Sequence, residues 1–396
     1  MNVLFISPHF PRHFYQFCER LKSRGVTVLG IGDCSWEGLG DNCRNALTDY
    51  RAVSSLMDYE AVYRIVAEYI YRYGRIDYVS SQNEFWLELE AQIRTDFHIM
   101  TGPHVEELAT MNRKSLMKAR YEKAGVKAAR WTLPATLDDA LSFASKVGYP
   151  VIVKPDKGVG AASTYKIHDA GELADFWSTK PDSVIFIEEE CVPGHVETFD
   201  GITNSRGEVL FAASQCLPVS LMDAVNGDTD VVSYCQAPSE DLRRAGEATL
   251  KQYPASHLFF HFEFFRLDED KAGLGKKGDI VGLEVNMRSP GGRIPDKMNY
   301  AYDTDVYTIW ADSLIHDKCF MNSEFKHYIT HIGRKNSIAY AFDLDEIRRR
   351  WGHCMIEEMD VDPALAGEMG NHAYLMRADS LEERDRQVQD ILKRRF

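Results

Sequence analysis

The sequence predicts a mixed fold: a parallel α/β lobe, an antiparallel α+β centre and a small C-terminal α/β segment. Three observations carry this. Residues 1–103 alternate short apolar runs with helix-period stretches, the signature of βαβ units. From residue 151 to about 290 the chain is rich in strand-like runs separated by polar turns. Beyond residue 311 helix and strand patterns mix again, ending in a charged helix, Ser380–Arg394.

Length and charge bound the function. At roughly 150 residues per domain, 396 residues allow two to three domains. A net charge of −14 argues against a sequence-independent grip on nucleic acid or on anionic lipid, so any phosphate is expected to be bound locally. The eight cysteines include no C-x-x-C. The opening MNVLFISPHF lacks a basic region ahead of its apolar run, and no apolar run approaches the ~20 residues of a membrane span. The expectation is a cytoplasmic protein with reduced cysteines and no membrane or nucleic-acid partner.

The elements follow in order. Asn2–Ser7 (NVLFIS) reads as a buried strand stopped by Pro8 and Pro11. Phe14, Phe17, Cys18 and Leu21 have helical spacing, and that helix ends at Gly25. Val26–Ile31 is a second strand, Tyr59–Tyr73 a longer helix, and Asp77–Ser80 a third strand, with the lobe closing near Gly102–Pro103. The loop after the first strand, SPHFPRH, has no glycine fingerprint, which counts against a nicotinamide-binding lobe. The spacing of His9 and His13 mimics a metal pair, but Pro11 between them argues for a loop. His9 and Arg12, at that sheet edge, are candidate substrate contacts. Asn112–Gly125 and Leu137–Lys146 read as helices, and Tyr149–Lys154 as a strand.

Three segments carry chemistry. Lys154-Pro-Asp-Lys-Gly158-Val-Gly160-Ala161-Ala-Ser163-Thr164 is no Walker loop, because no Gly-Lys-Ser/Thr closes it. The strand-like TYKIH after it makes it a hairpin flap, either a plain surface turn or one whose backbone N–H groups fold over phosphates. Ile185–Gly201 (IFIEEECVPGHVETFDG) ends a strand in acids and turns at Pro193-Gly194, as a hinge does. Leu258–Leu267 (LFFHFEFFRL) holds one acid, Glu263, among aromatics. In IVGLEVNMR, Glu284, Asn286 and Arg288 lie two apart and share a face. Pairing these strands brings Glu263 beside Glu284 and Asn286, an oxygen donor set suited to Mg2+, with Arg288 near a phosphoryl group. The alternative is two strands with ordinary outward charges. A lone Glu among aromatics counts against that, because an unpaired buried carboxylate is costly.

In this order, a helix lysine, a strand lysine with a Gly flap, an acidic hinge and two carboxylate strands ending in E-x-N-x-R resemble the ATP-grasp superfamily. The resemblance covers roughly residues 1–310 and is closest to the biotin carboxylase and carboxylate–amine ligase branch. It implies an ATP-grasp fold with an N-terminal Rossmann-like lobe at 1–103, grasp subdomains at 104–185 and 186–310, and a C-terminal α/β segment at 311–396 packed on the grasp. Lys114 and Lys154 would touch ATP phosphates, and Gly158, Gly160, Ala161 and Ser163 would form the flap. Glu189 and Glu190 would face the adenine amino group, with Val192 offering its backbone N–H. Glu263, Glu284 and Asn286 match the Mg2+ ligands, with Mn2+ as a substitute, and Arg288 matches the arginine near the transferred phosphate.

The family's ribose-binding Glu falls on Val196 here, leaving His195 or Glu197 for that role. The turn Asp268–Asp279 has no role beyond a solvated hairpin, and no Met-Lys-Met biotin-attachment motif is present. Arg293 is a candidate partner for a substrate carboxylate, and the stretch Gln215–Tyr234 is expected beside the acyl site. The implied reaction joins a small-molecule carboxylate, activated by ATP, to an amine; a homodimer is implied by resemblance only. The alternatives are a carboxylase acting through carboxyphosphate and a non-catalytic nucleotide-binding regulator.

Overall fold

The computed structural model describes residues 1–158, 163–218, 229–363 and 366–395. β1 (Asn2–Ile6), β2 (Thr27–Gly32), β3 (Asp49–Ala52) and β4 (Tyr78–Ser80) form a parallel sheet in the order β3-β2-β1-β4. The pattern missed β3 because its sequence, DYRA, buries only Tyr50. The helix Tyr59–Tyr73 buries Val62, Val66 and Tyr69 at helical spacing. Asp58 caps it by accepting from the Ala61 N–H, and Gly74 ends it. On the other face, Phe17 of the helix Tyr15–Lys22 sets its ring edge against Tyr307 and Trp310, with centroids 4.8 and 5.3 Å apart. That apolar cluster joins the lobe to the centre of the molecule.

A second, antiparallel sheet contains β5 (Trp131–Thr132), β6 (Val151–Pro155), β7 (Tyr165–Ile167) and β8 (Phe186–Glu190), in the order β5-β8-β6-β7. Its apolar side packs on the helices Leu137–Val147 and Ala170–Thr179. β6 and β7 pair antiparallel, Val151 opposite Ile167, so the Gly-rich segment is a hairpin connection. Gly160 and Ala161 lie outside the described residues.

The helix expected over Asn112–Gly125 is present over Lys114–Lys123, and a separate helix that the pattern did not mark precedes it. Helices span Val105–Asn112 and Lys114–Lys123, with Arg113 extended between them. The second helix starts at Lys114 because Asp156 caps it from across the subdomain. Its carbonyl accepts from the Lys114 N–H and its Oδ1 from the Ser115 N–H, each at 2.8 Å.

The largest sheet has eight strands: β9 (Gly194–Thr203), β10 (Val209–Leu217), β11 (Val231–Gln236), β12 (Phe259–Leu267), β13 (Ile280–Asn286), β14 (Tyr328–Arg334), β15 (Met355–Asp360) and β16 (His372–Ala378). Their order is β13-β12-β9-β10-β11-β14-β16-β15, every neighbour antiparallel. Residues from 311 on thus add three strands to the central sheet, β14 pairing with β11.

Side-chain alternation gives this sheet two faces. The inner face, with Ile202, Phe211, Cys235, Phe259 and Ile329, packs on the helices Ile294–Tyr302 and Val306–His316. On the outer face, Phe199, Phe260, Phe262 and Phe264 pack under the helix Glu240–Leu250. Among the described residues no helix is long and apolar enough to cross a membrane, and no disulfide joins two cysteines.

Candidate active site

The register of β12 on β13 sets Glu263 opposite Glu284 and His261 opposite Asn286. Both carboxylates therefore stand side by side on the inner face, as the alternation argument required. Gly282 helps to seat them: a Cβ there would meet the Tyr121 ring at 2.5 Å. Its absence lets the helix Lys114–Lys123 lie against β13, where the Tyr121 hydroxyl donates to the Glu284 carbonyl at 3.0 Å. The same seating brings Lys114 Nζ to 3.3 Å from Glu284 Oε1 and 3.1 Å from the Gly158 carbonyl.

Three groups outside the sequence reading complete this row. His261 is buried with Nδ1 2.6 Å from Asp200 Oδ1 and Nε2 3.2 Å from Glu263 Oε1. Burial acts to lower its pKa, but the two acids outweigh it and push it up to about 9. Glu84, opening the short 3-10 helix Glu84–Trp86 after β4, pairs with Arg288, Oε2 to Nη2 at 2.5 Å. Beside it Gln82 Oε1 accepts from the Ser289 N–H at 2.9 Å. The parallel lobe thus aims the arginine. No local pattern marks Gln82 or Glu84, because their partners lie about two hundred residues away.

The lysines arrive from the opposite subdomain. Lys154 Nζ lies 3.2 Å from Glu189 Oε2, and Lys118 Nζ 3.3 Å from Glu189 Oε1. Sequence reasoning missed Lys118. It sits one helical turn after Lys114, and that spacing was a usable signal. Burial acts to raise the Glu189 pKa, but the two ammonium groups hold it below its ordinary value.

Neighbours on a strand face opposite ways, so Glu189 and Glu190 cannot both face a nucleotide, as the hinge reading supposed. Glu190 turns to the other side, where it accepts from the Arg130 N–H at 2.8 Å and Nη2 at 2.6 Å. Glu188 shares that side, fully buried, with both carboxylate oxygens unpartnered among the described residues; burial pushes its pKa up to about 7.

The remaining candidates scatter. Ser163 and Gly158 are exposed at the flap, and Val192 packs with Phe265 against Leu267, Leu274 and Val281. Leu274 is buried, so the turn Asp268–Asp279 is not merely solvated. It also carries Asp268, whose Oδ1 lies 2.8 Å from His195 Nδ1. Glu197 stands opposite Phe264, on the reverse side of the sheet from Glu263. Arg266 holds it there, with Nε at 2.9 Å from Oε2. His195, Glu197 and Cys216 bring ligand-type atoms within 4.8 Å of one another on that side. The structure therefore separates both ribose candidates from the carboxylate row.

His9 pairs with Asp33 at 3.5 Å, and Arg12 is exposed. Arg293 is already neutralised, its Nη1 donating to Glu357 Oε1 at 3.1 Å and its Nε lying 2.6 Å from Asp296 Oδ2. It is not a free cation for a substrate carboxylate.

The donor chemistry fits a hard divalent cation. Two facing carboxylates and an amide two residues on supply only oxygens. Burial, reinforced by Glu263 and Glu84 and opposed by Lys114, raises the Glu284 pKa. Facing acids of this kind are relieved by a cation between them.

The family model described as "Carbamoyl-phosphate synthase L chain, ATP binding domain" matches residues 113–199. An L-arginine-specific L-amino acid ligase from Bacillus subtilis is 25% identical over 256 residues, covering 62% of this chain and 58% of the relative. The chain thus spans under two thirds of that relative's length. Among solved structures, L-amino acid ligase from Bacillus licheniformis superposes with a TM-score of 0.72 at 14% identity, covering 98% of this chain and 96% of the other. The biotin carboxylase domain of a Hydrogenobacter thermophilus 2-oxoglutarate carboxylase, in complex with MgADP and bicarbonate, gives 0.67 at 13% identity over 100% and 90%. The fold is ATP-grasp. The chain resembles proteins of the biotin carboxylase and carboxylate–amine ligase branch.

Proposed function

We propose that this protein is an ATP- and Mg2+-dependent carboxylate–amine ligase. It would transfer the γ-phosphoryl group of ATP to a substrate carboxylate, giving ADP and an acyl phosphate; an amine would then displace phosphate and form the amide. The observation that carries the reading is the convergence of Lys114, Lys154 and Arg288 on the facing pair Glu263 and Glu284. These groups come from three separate regions of the chain. The division into 1–103, 104–185, 186–310 and 311–396 belongs to the same proposal.

Each group has a task that its position supports. Lys114, reaching the Gly158 carbonyl, ties the flap to the carboxylate row and presents its ammonium to phosphate oxygens. Lys154 does so from β6, with Glu189 fixing its side chain. Arg288, oriented by Glu84, offers its guanidinium to the transferred group and to the charge on the acyl phosphate. Glu263, Glu284 and Asn286 would hold Mg2+, or Mn2+ in its place, which neutralises charge on the β- and γ-phosphoryl groups. His261, braced by Asp200, keeps the Glu263 carboxylate in place. Positioning and charge compensation suffice for this reaction; no side-chain nucleophile is needed.

The test is ADP release from the purified protein with ATP, Mg2+ and pooled acids and amines. Release that requires both an acid and an amine is the expected result. Turnover that needs bicarbonate but no amine would replace the ligase with a carboxylase acting through carboxyphosphate. ATP binding with no ADP release from any pool would leave a nucleotide-binding regulator.

A further inference from the structure

The inner face carries a second polar group that the reaction above does not use. Lys297, on the helix Ile294–Tyr302, is 2% exposed, and its Nζ donates to Ser233 Oγ at 2.7 Å. Among the described residues it forms no ion pair. Asp200, the acid whose charge it feels, is occupied by His261 on one oxygen and by the Thr198 hydroxyl on the other. A buried ammonium bonded to a neutral hydroxyl lacks its counter-ion.

Beside it lies an equally incomplete group. Gln215 is fully buried, and among the described residues neither its Nε2 nor its Oε1 has a partner stronger than the neighbouring Cys235 thiol. The register sets Gln215 opposite Cys235 on β11, which makes Ser233 its diagonal neighbour on the same face, roughly 7–8 Å away. A cation bonded only to a hydroxyl and an amide with no more than a thiol beside it, both among the residues of one sheet face, match a carboxylate, whose two oxygens can take both bonds.

We propose that Lys297 and Gln215, with Ser233, form a subsite for a second, non-reacting carboxylate of a substrate. The placement follows from the sheet. The Gln215 N–H donates to Thr198 Oγ1 at 2.9 Å, and Thr198 stands opposite Glu263, so Gln215 lies in the same cross-strand row as the metal carboxylates. Two strand spacings, roughly 10 Å, separate it from Glu263. A carboxylate there is too far from the metal row to be phosphorylated and close enough to anchor its carrier. That carrier is an amino acid serving as the amine, or a dicarboxylic acid serving as the acyl donor. The sequence reading chose Arg293 for this task; the neutralised Arg293 and the unpaired Lys297 exchange those roles.

The subsite rests on the ligase reading for its link to catalysis, but its test does not need turnover. The full chain is titrated calorimetrically, with Mg2+ and a non-hydrolysable ATP analogue present, against the common L-amino acids and straight-chain dicarboxylic acids, each beside its amide. An acid that binds at least about tenfold tighter than its amide is expected, and whether it is an amino acid or a dicarboxylic acid names the carrier. K297M and Q215L each remove the preference and leave affinity for the ATP analogue unchanged. Q215E supplies the carboxylate from the chain itself, so it abolishes the preference while melting no lower than wild type. That variant answers the case in which K297M fails to fold. A wild type that binds no acid better than its amide overturns the proposal, as does a Q215E protein that keeps the preference. Acid preference without ADP release from any pool would overturn the ligase reading and leave the subsite standing.

Discussion

The two faces of the strand pair β9–β12 carry similar residues with opposite consequences. Outside, Glu197 is held by Arg266, which also reaches Asp241 at 2.8 Å, and the acids and bases there neutralise one another. Inside, Glu263 faces Glu284, and the nearby cations are shared with a third acid, Glu189. Burial alone therefore does not mark a reactive carboxylate. The face whose charges are left incomplete is the one prepared to receive cations and phosphate, and a saturated face holds the sheet together.

Substitutions on each face sharpen or break that contrast. E284Q is expected to reduce ADP release at least a thousandfold, about 4 kcal/mol of transition-state stabilisation, while the protein melts at or above the wild-type temperature. The melting follows because one of two facing, half-buried acids is gone. Near-normal turnover in E284Q would erase the distinction between the faces. R266M, on the outer face, should do the reverse: it leaves Glu197 to His195 and takes the arginine from Asp241, and costs about 3 kcal/mol in urea unfolding, with turnover of the remaining folded protein within about threefold of wild type. K118M leaves Glu189 with one cation, and a rise of about tenfold in the KM for ATP is expected, read from initial rates across ATP concentration.

The smallest effect concerns Glu188, whose carboxyl burial holds up to about 7. The folded state binds this proton more tightly than the unfolded chain does. The resulting stability is complete below the ordinary carboxylate range and is lost as pH rises through about 7. E188Q should therefore be more stable than wild type by about 1–2 kcal/mol at pH 8, with the difference shrinking toward pH 5. Unfolding curves that stay parallel across that range would show the carboxyl to be satisfied.

What could be read along the chain was whatever repeats locally. Alternation on one strand was enough to group Glu284, Asn286 and Arg288, and helical spacing was enough to find Tyr59–Tyr73. The lone acid in LFFHFEFF marked Glu263, because an isolated carboxylate among aromatics needs a partner. Lys118 was legible by the same helical spacing and went unread.

The rest depended on partners distant in sequence, and no periodicity encodes those. Asp156 starts the lysine helix, Glu84 aims Arg288, and β14 joins β11 across about a hundred residues. Whether a given ion is spent or free follows the same rule. Arg293 and Lys297 lie one helical turn apart and look alike as letters. Glu357, from the far end of the sheet, joins Asp296 in neutralising the first, while among the described residues the second has no anion. Residue type and spacing along the chain set which side chains share a face, because the backbone fixes their direction. Long-range packing sets which charges find a counter-ion, because burial removes the water that would otherwise have stood in for one.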